Sequence, residues 1–206
     1  MQSLAENKKM LDLYSGLGGA SEAFLRSGRW DVIRVENNPL LESVPCTDIM
    51  DVRELEEWRW NVDIDFVWAS PPCREFSQGY NAPGPTAKRE GRLFSPDLSL
   101  VVSAHKIIRQ VKPMYWCIEN VVGAIEPLKH LLGEPHQIVG PFVLWGNFPL
   151  LAASHIKHQK SEQDVWSSDP LRSNKKALIP YELSESMMYA IEHQRRISDW
   201  VQIDNL

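Results

Sequence analysis

Met10-Leu-Asp-Leu-Tyr-Ser-Gly-Leu-Gly-Gly-Ala-Ser-Glu-Ala-Phe24 reads as a short strand, a glycine-rich turn and a helix opening near Gly19. A strand that feeds a helix through so tight a turn commits the chain to an α/β sheet, and strand-like and helix-like segments go on alternating after it. Gly16, Gly18 and Gly19 let backbone approach a ligand closely, and the helix start offers free N–H groups. The dinucleotide fingerprint G-x-G-x-x-G would need a glycine where Ser21 stands, so a nicotinamide cofactor is the weaker expectation. Asp31-Val-Ile-Arg-Val-Glu-Asn37 is a second strand, and Glu36 closes it about twenty residues beyond the turn, where an acid can accept from ribose hydroxyls. That combination implies a ligand containing a ribose.

The apolar run Ile64-Asp-Phe-Val-Trp68 leads into Ala69-Ser-Pro-Pro-Cys-Arg-Glu-Phe-Ser77. Proline fixes φ and pushes its predecessor to extended geometry, so Pro71-Pro72 holds Cys73 stiffly at the C-terminal edge of a strand. That edge is where an open α/β sheet binds its ligands. Taken alone, a cysteine is more often a small buried hydrophobe than a nucleophile. A second strand, Tyr115-Trp-Cys-Ile-Glu-Asn-Val-Val122, alters the balance because it ends in Glu119-Asn120. If the two strands are neighbours, a thiol and a proton-handling carboxyl face one crevice.

With these pieces the chain resembles the cytosine-5 DNA methyltransferases, which use S-adenosyl-L-methionine. The carrying residues are Asp12-Leu-Tyr-Ser-Gly-Leu-Gly-Gly19, Ser70-Pro-Pro-Cys-Arg-Glu-Phe-Ser77 and Glu119-Asn-Val121, in the family's order and spacing. The resemblance implies a Rossmann-like class I methyltransferase sheet, mostly parallel, with helices on both faces. It also implies that Cys73 adds to C6 of a flipped-out cytosine, that Glu119, with Asn120 beside it, serves the base, and that a methyl group passes to C5. For the cofactor it implies Asp12, Tyr14, Ser15, Gly16, Leu17, Gly18 and Gly19 of the turn, Glu36 and Asn37 at the ribose, Asp48 and Ile49 beside the adenine, and Pro71. Ile179-Pro-Tyr-Glu-Leu-Ser-Glu-Ser-Met187 resembles the segment that returns to close the cofactor pocket.

Residues 74–98, rich in Gly, Pro, Ser and Asn, read as a mobile catalytic loop whose cations meet phosphate. Arg74, Ser77, Gln78, Lys88, Arg89 and Arg92 are its candidate nucleic-acid contacts, and Tyr80 is a further one. The family's Gln-x-Arg-x-Arg strand is not evident, since Phe142-Val-Leu-Trp-Gly-Asn-Phe-Pro149 carries no arginine. The contact it makes to the cytosine ring is then lost or supplied by another cation such as Arg89 or Arg92. No recognition domain is evident either: residues 150–178 hold only His155, Lys157, His158, Lys160, Arg172, Lys175 and Lys176, a basic insertion. Specificity is therefore expected to be weak, or supplied by a separate recognition subunit or a homodimer.

His155-Ile-Lys-His158 lacks the further ligands a zinc site needs, so no metal is expected. A net charge of −5 over 206 residues is awkward for a DNA-binding protein, but acids collect in 36–66 and cations in the loop and the insertion. Cys46, Cys73 and Cys117 form an odd set without C-x-x-C spacing, which suits a reducing compartment. With no membrane span or signal peptide in view, the expectation is one soluble, cytoplasmic catalytic domain over 1–206, of the kind prokaryotes and phages encode. The pattern predicts helices over 97–112, over 121–132 with Pro127 as a break, and over 184–200. Two other readings stay open: the same chemistry on RNA or a cytidine nucleotide, or with another group moved to C5, and a non-catalytic cofactor-binding regulator.

Overall fold

The computed structural model describes residues 7–152, 156 and 168–194. Seven strands form one sheet: β1 (Lys8–Leu13), β2 (Trp30–Glu36), β3 (Thr47–Ile49), β4 (Phe66–Ala69), β5 (Tyr115–Val121), β6 (Gln137–Val139) and β7 (Phe142–Asn147). Their spatial order is β3-β2-β1-β4-β5-β7-β6. β1 pairs in parallel with β2 and β4, and β4 with β5, whereas β7 runs antiparallel between β5 and β6. The sheet is thus mostly parallel, and the chain leaves β1 in opposite lateral directions to reach β2 and β4. The crevice of such a fold opens at that switch point, beyond the C-terminal ends of β1 and β4.

Both faces are covered, so the central strands are apolar on both sides. Met10, Phe66 and Trp68 point into one core with Phe24 of α1 (Glu22–Ser27). Leu11 and Val67 point into the other core, which holds Val52 and Leu55 from a 3-10 run over Val52–Glu57. Two more helices seal that side, α3 (Ser99–Val111) through Ile107 and α4 (Ile125–Leu132) through Leu128.

Residues 74–98 contain more order than the sequence suggests, for α2 spans Pro83–Arg89. Pro83 and Pro85 fall in its first turn, where the missing N–H groups have no intrahelical partner to lose, so they start the helix instead of preventing it. Pro127 does the same in α4, which is not split; Val121 belongs to β5 and a 3-10 turn, Val122–Ala124, intervenes. Of the basic insertion, α5 covers Arg172–Lys176, while His155, Lys157, His158 and Lys160 lie outside the described residues. The last helix, α6, runs over Tyr181–His193 and starts three residues earlier than expected because Pro180 caps it in extended geometry. Leu183 and Met187 of α6 pack against Phe24 in the first core.

Candidate active site

A cavity of about 920 Å³ opens at the C-terminal ends of β1, β2, β4 and β5, a volume that suits a nucleoside-sized ligand with room for a second group. At its deep end the chain turns sharply out of β1. Tyr14 and Gly16 both sit in the left-handed region, at φ 59° and 54°. The Tyr14 hydroxyl donates to the Leu100 carbonyl at 2.8 Å, which ties the turn to the start of α3. Glu36 fills the concave side of the turn. Its Oε1 accepts from the N–H groups of Asn37 and Asn38 at 3.1 and 3.0 Å, and its Oε2 from Gly16 at 2.9 Å. A carboxylate offers about four acceptor positions, so Oε2 keeps one for a ligand hydroxyl.

Asp12 is fully buried and accepts from the Ser21 hydroxyl through Oδ2 at 2.6 Å. Its Oδ1 and the Ser15 hydroxyl are buried with no hydrogen-bond partner among the described residues, and both residues are among those lining the cavity. Orphaned polar atoms on a cavity wall fit a polar ligand, here an amino-acid-bearing nucleoside such as S-adenosylmethionine.

At the other end, Pro71-Pro72 carries the chain out of β4 into a 3-10 turn over Cys73–Glu75. Asn120 holds this segment down: its Nδ2 donates to the Pro71 carbonyl and its Oδ1 accepts from the Val121 N–H, each at 2.9 Å. Glu119 projects from β5 into the same cavity as Cys73. Trp68 Nε1 donates to Ser70 Oγ at 2.8 Å, and Ser70 in turn hydrogen-bonds Glu119. Burial pushes the Glu119 carboxyl up to about 7, against the pull of Ser70. The Cys73 thiol is also held above its ordinary value, first by burial and then by the Glu119 charge. A half-buried thiol and a carboxyl that is readily protonated near neutrality thus face one space.

The cavity brings together Asp12, Tyr14, Ser15, Gly16, Leu17, Gly19, Glu36, Asn37, Pro71, Cys73, Arg74, Ser77 and Glu119. Several expected residues lie elsewhere. Asn120 is 1% exposed and fastens the Pro-Pro segment from behind. Gly18 faces Arg34, on whose guanidinium a Cβ would fall. Asp48 borders a separate surface depression and Ile49 is exposed, because the chain runs on two residues past β3 before turning under the cavity. Asp51 and Val52 line it instead, Asp51 capping the 3-10 run by accepting from the Arg53 N–H. The signal was present, since Asp51-Val52 repeats the acidic-aliphatic pattern of Asp48-Ile49 three positions later.

Gln78, Lys88, Arg89 and Arg92 also lie off the cavity wall. Arg89 folds onto its own segment, its Nη1 donating to the Tyr80 carbonyl at 2.6 Å and its guanidinium 3.8 Å over the Tyr80 ring. Arg92 pairs with Glu90. The cations on the wall are Arg53, which pairs with Asp51, together with Arg74 and Lys176. Leu178 and Ile179 close the wall beside the glycine turn, so close that a Cβ on Gly19 would meet the Ile179 carbonyl. Among the described residues no group of three or more His, Cys, Asp or Glu could hold a metal, and no helix is long and apolar enough to cross a membrane.

The chain is similar to known proteins over most of this architecture. It is 30% identical over 132 residues to the type II methyltransferase M.AquIA of Picosynechococcus sp., a match covering 57% of this chain and 50% of that protein. It is 26% identical over 186 residues to the type II methyltransferase M.HindV of Haemophilus influenzae, covering 84% of this chain and 56% of the relative. The matches thus span little more than half the length of these relatives. Among solved structures, the Entamoeba histolytica methyltransferase EhMeth superposes with a TM-score of 0.42 at 17% identity, over 59% of this chain and 40% of that one. A model of the C-5 cytosine-specific DNA methylases matches residues 8–134, which carry the glycine turn, Glu36, the Pro-Pro-Cys segment and Glu119. With well over half of its residues in that match, the chain belongs to the C-5 cytosine-specific DNA methylase family.

Proposed function

We propose that the protein methylates C5 of cytosine in DNA through a covalent Cys73–C6 intermediate, with S-adenosyl-L-methionine as methyl donor. The observation that carries this reading is the meeting of Cys73 and Glu119 in the cavity whose far end is built from Glu36 and the glycine turn. Glu36 would hold the ribose, Asp51 and Val52 the adenine side, and the turn with Asp12 the amino-acid end. When bound there, S-adenosylmethionine supplies an electrophilic methyl group.

The side chains then have defined tasks. Cys73 gives its proton to water and its sulfur bonds to C6, displacing the C5–C6 π pair toward C5. Glu119, protonated or hydrogen-bonded at N3 and the exocyclic amine, offsets the charge that develops on the ring. C5 would take the methyl group as its bond to the donor sulfur breaks and the donor leaves as a neutral thioether; the C5 proton would go to a base or water, its electron pair re-forming the C5–C6 double bond as the Sγ–C6 bond breaks to restore the thiolate. A base inside a duplex cannot reach Cys73, so it must be flipped out at a cost of a few kcal/mol. The loop 74–98 suits that work, because Tyr80 is 74% exposed at the cavity mouth and backed on one side by Arg89, leaving an aromatic face for stacking.

The test is transfer of labelled methyl groups from S-adenosylmethionine to duplex DNA, tRNA and dCMP, each with wild type and Cys73→Ser. Label in DNA that depends on Cys73 is expected. Label confined to tRNA or dCMP would transfer the same chemistry to another substrate, and label in none would leave a cofactor-binding regulator.

A further inference from the structure

Arg34, which lies behind the cavity wall against Gly18, is left without a task by the chemistry above. It sits within β2 at 1% exposure, flanked by Ile33 and Val35. Burying a guanidinium costs several kcal/mol unless its donors are paired, so so deep an arginine needs a reason. Four of its five donors are used. Nε donates to Ser21 Oγ at 2.8 Å, Nη1 to the Pro45 carbonyl at 3.0 Å, and Nη2 to the Gly18 carbonyl at 2.9 Å and to Glu22 at 3.1 Å. Gly18 must be glycine because the guanidinium occupies the space of its Cβ.

The Ser21 hydroxyl that accepts from Arg34 donates in turn to Asp12 Oδ2 at 2.6 Å. A cation, a hydroxyl and a carboxylate therefore form one polarised chain, with a charge at each end strengthening both bonds. It leaves Asp12 with one oxygen bound and one free. The free Oδ1 is buried, has no partner among the described residues, and belongs to a side chain on the cavity wall. A carboxylate oxygen in that position calls for a donor from the ligand, preferably a cationic one. S-adenosylmethionine carries two cationic groups, and only its α-ammonium has N–H bonds to give.

Resting on the cofactor reading above, we propose that Arg34 is a positioning residue that, through Ser21, aims the Asp12 carboxylate at the α-ammonium of bound S-adenosylmethionine. This explains why position 21 is serine and not the third glycine of a dinucleotide turn: a glycine there would cut the chain between Arg34 and Asp12.

The arrangement also has a pH signature. Burial raises the Asp12 carboxyl to about 7; Ser21 and Arg34 hold it down, and Glu36, on the same strand as Arg34, pushes it up. An ammonium binds the ionised form, so affinity for S-adenosylmethionine rises as the pH passes up through that region and falls again where the ligand's own α-ammonium, with a pKa of about 8, loses its proton. Removing Arg34 moves the rise to higher pH because its charge no longer lowers the Asp12 carboxyl.

The experiment is calorimetric titration of the full chain, wild type, Arg34→Met and Ser21→Ala, with three ligands across pH 6 to 9. The ligands are S-adenosylmethionine, its decarboxylated form, which keeps an ammonium, and 5′-methylthioadenosine, which lacks it. Both variants should lose about tenfold or more in affinity for the first two and less than about twofold for the third, with the pH midpoint displaced upward. Ser21→Ala is nearly isosteric and decides the matter should Arg34→Met fail to fold. Equal losses for all three ligands, or no loss for S-adenosylmethionine, would overturn the assignment while leaving the cofactor reading intact. A wild-type protein that binds none of them would sink the cofactor reading itself.

Discussion

The two ends of the cavity are built on opposite plans. At the deep end Asp12 and Glu36 on the wall, with Ser21 and Arg34 behind it, are all at most 8% exposed and held by hydrogen bonds running across the turn, β1 and β2. At the mouth Tyr80 is 74% exposed, and two cations of the loop are paired locally, Arg89 with Tyr80 and Arg92 with Glu90, while Arg74 stands on the cavity wall. The contrast fixes where binding energy has to come from. A ligand at the deep end meets groups already in position. On the proposed reading a base at the mouth would meet a surface on which Arg89 and Arg92 must first give up their local partners, so ordering there would be driven by the nucleic acid.

The sharpest way to separate the ends is Cys73→Ser, which on the proposed mechanism acts on the base and not on the donor. Turnover should fall by roughly three orders of magnitude or more while S-adenosylmethionine affinity stays within about twofold. A matching loss of affinity, read by calorimetry, would show that the two ends are not separable. Glu119→Gln should lower kcat by about 10²- to 10³-fold in single-turnover methyl transfer. A normal rate would remove Glu119 from the chemistry.

The same substitution carries a stability prediction of the opposite sign. The folded state lifts Glu119 from an ordinary carboxylate to about 7, so the stability its burial allows is complete at pH 4 and is lost as pH rises through 7. Glu119→Gln removes that loss. Its unfolding free energy should match wild type at pH 4 and exceed it by about 3 kcal/mol at pH 8, measured by urea titration. An equal difference at both pH values would contradict the buried, protonatable carboxyl.

Smaller effects probe the mouth. Gly123 lies against the Phe76 carbonyl, leaving no room for a Cβ, so Gly123→Ala must push the base of the loop away. It should cost of order 1–3 kcal/mol and slow turnover, with donor affinity unchanged. Tyr80→Ala should weaken duplex binding by about 1 kcal/mol, near fivefold, and Tyr80→Phe should restore it because the ring and not the hydroxyl is used. Loss of S-adenosylmethionine affinity in either variant would break the division between the ends.

Much of this was legible in the sequence, because strand-end motifs sit at fixed places in a parallel sheet. The glycine turn, Glu36, Cys73 and Glu119 all reach one cavity as their strand positions require. What failed to show depended on three-dimensional partners. Asn120 looks like part of a catalytic pair until its amide is seen gripping Pro71. Arg34 reads as an ordinary cation in an apolar strand, and nothing local reveals that Ser21 and Gly18 are shaped around it. Asp48-Ile49 and Asp51-Val52 are the same pattern in duplicate, and only the end of β3 decides between them. The helix within 74–98 is hidden because Pro83 and Pro85 read as breakers, although the first turn of a helix tolerates both.

The most direct test of the account is covalent capture. Fluorine at C5 cannot leave as a proton does, so a thiolate that adds to C6 and is followed by methyl transfer stays bound to the base. Incubated with S-adenosylmethionine and duplex DNA containing 5-fluorocytosine, the protein should form an adduct stable to denaturation that peptide mapping assigns to Cys73 and that Cys73→Ser does not form. An adduct at another residue, or methylated DNA without any adduct, would contradict the mechanism.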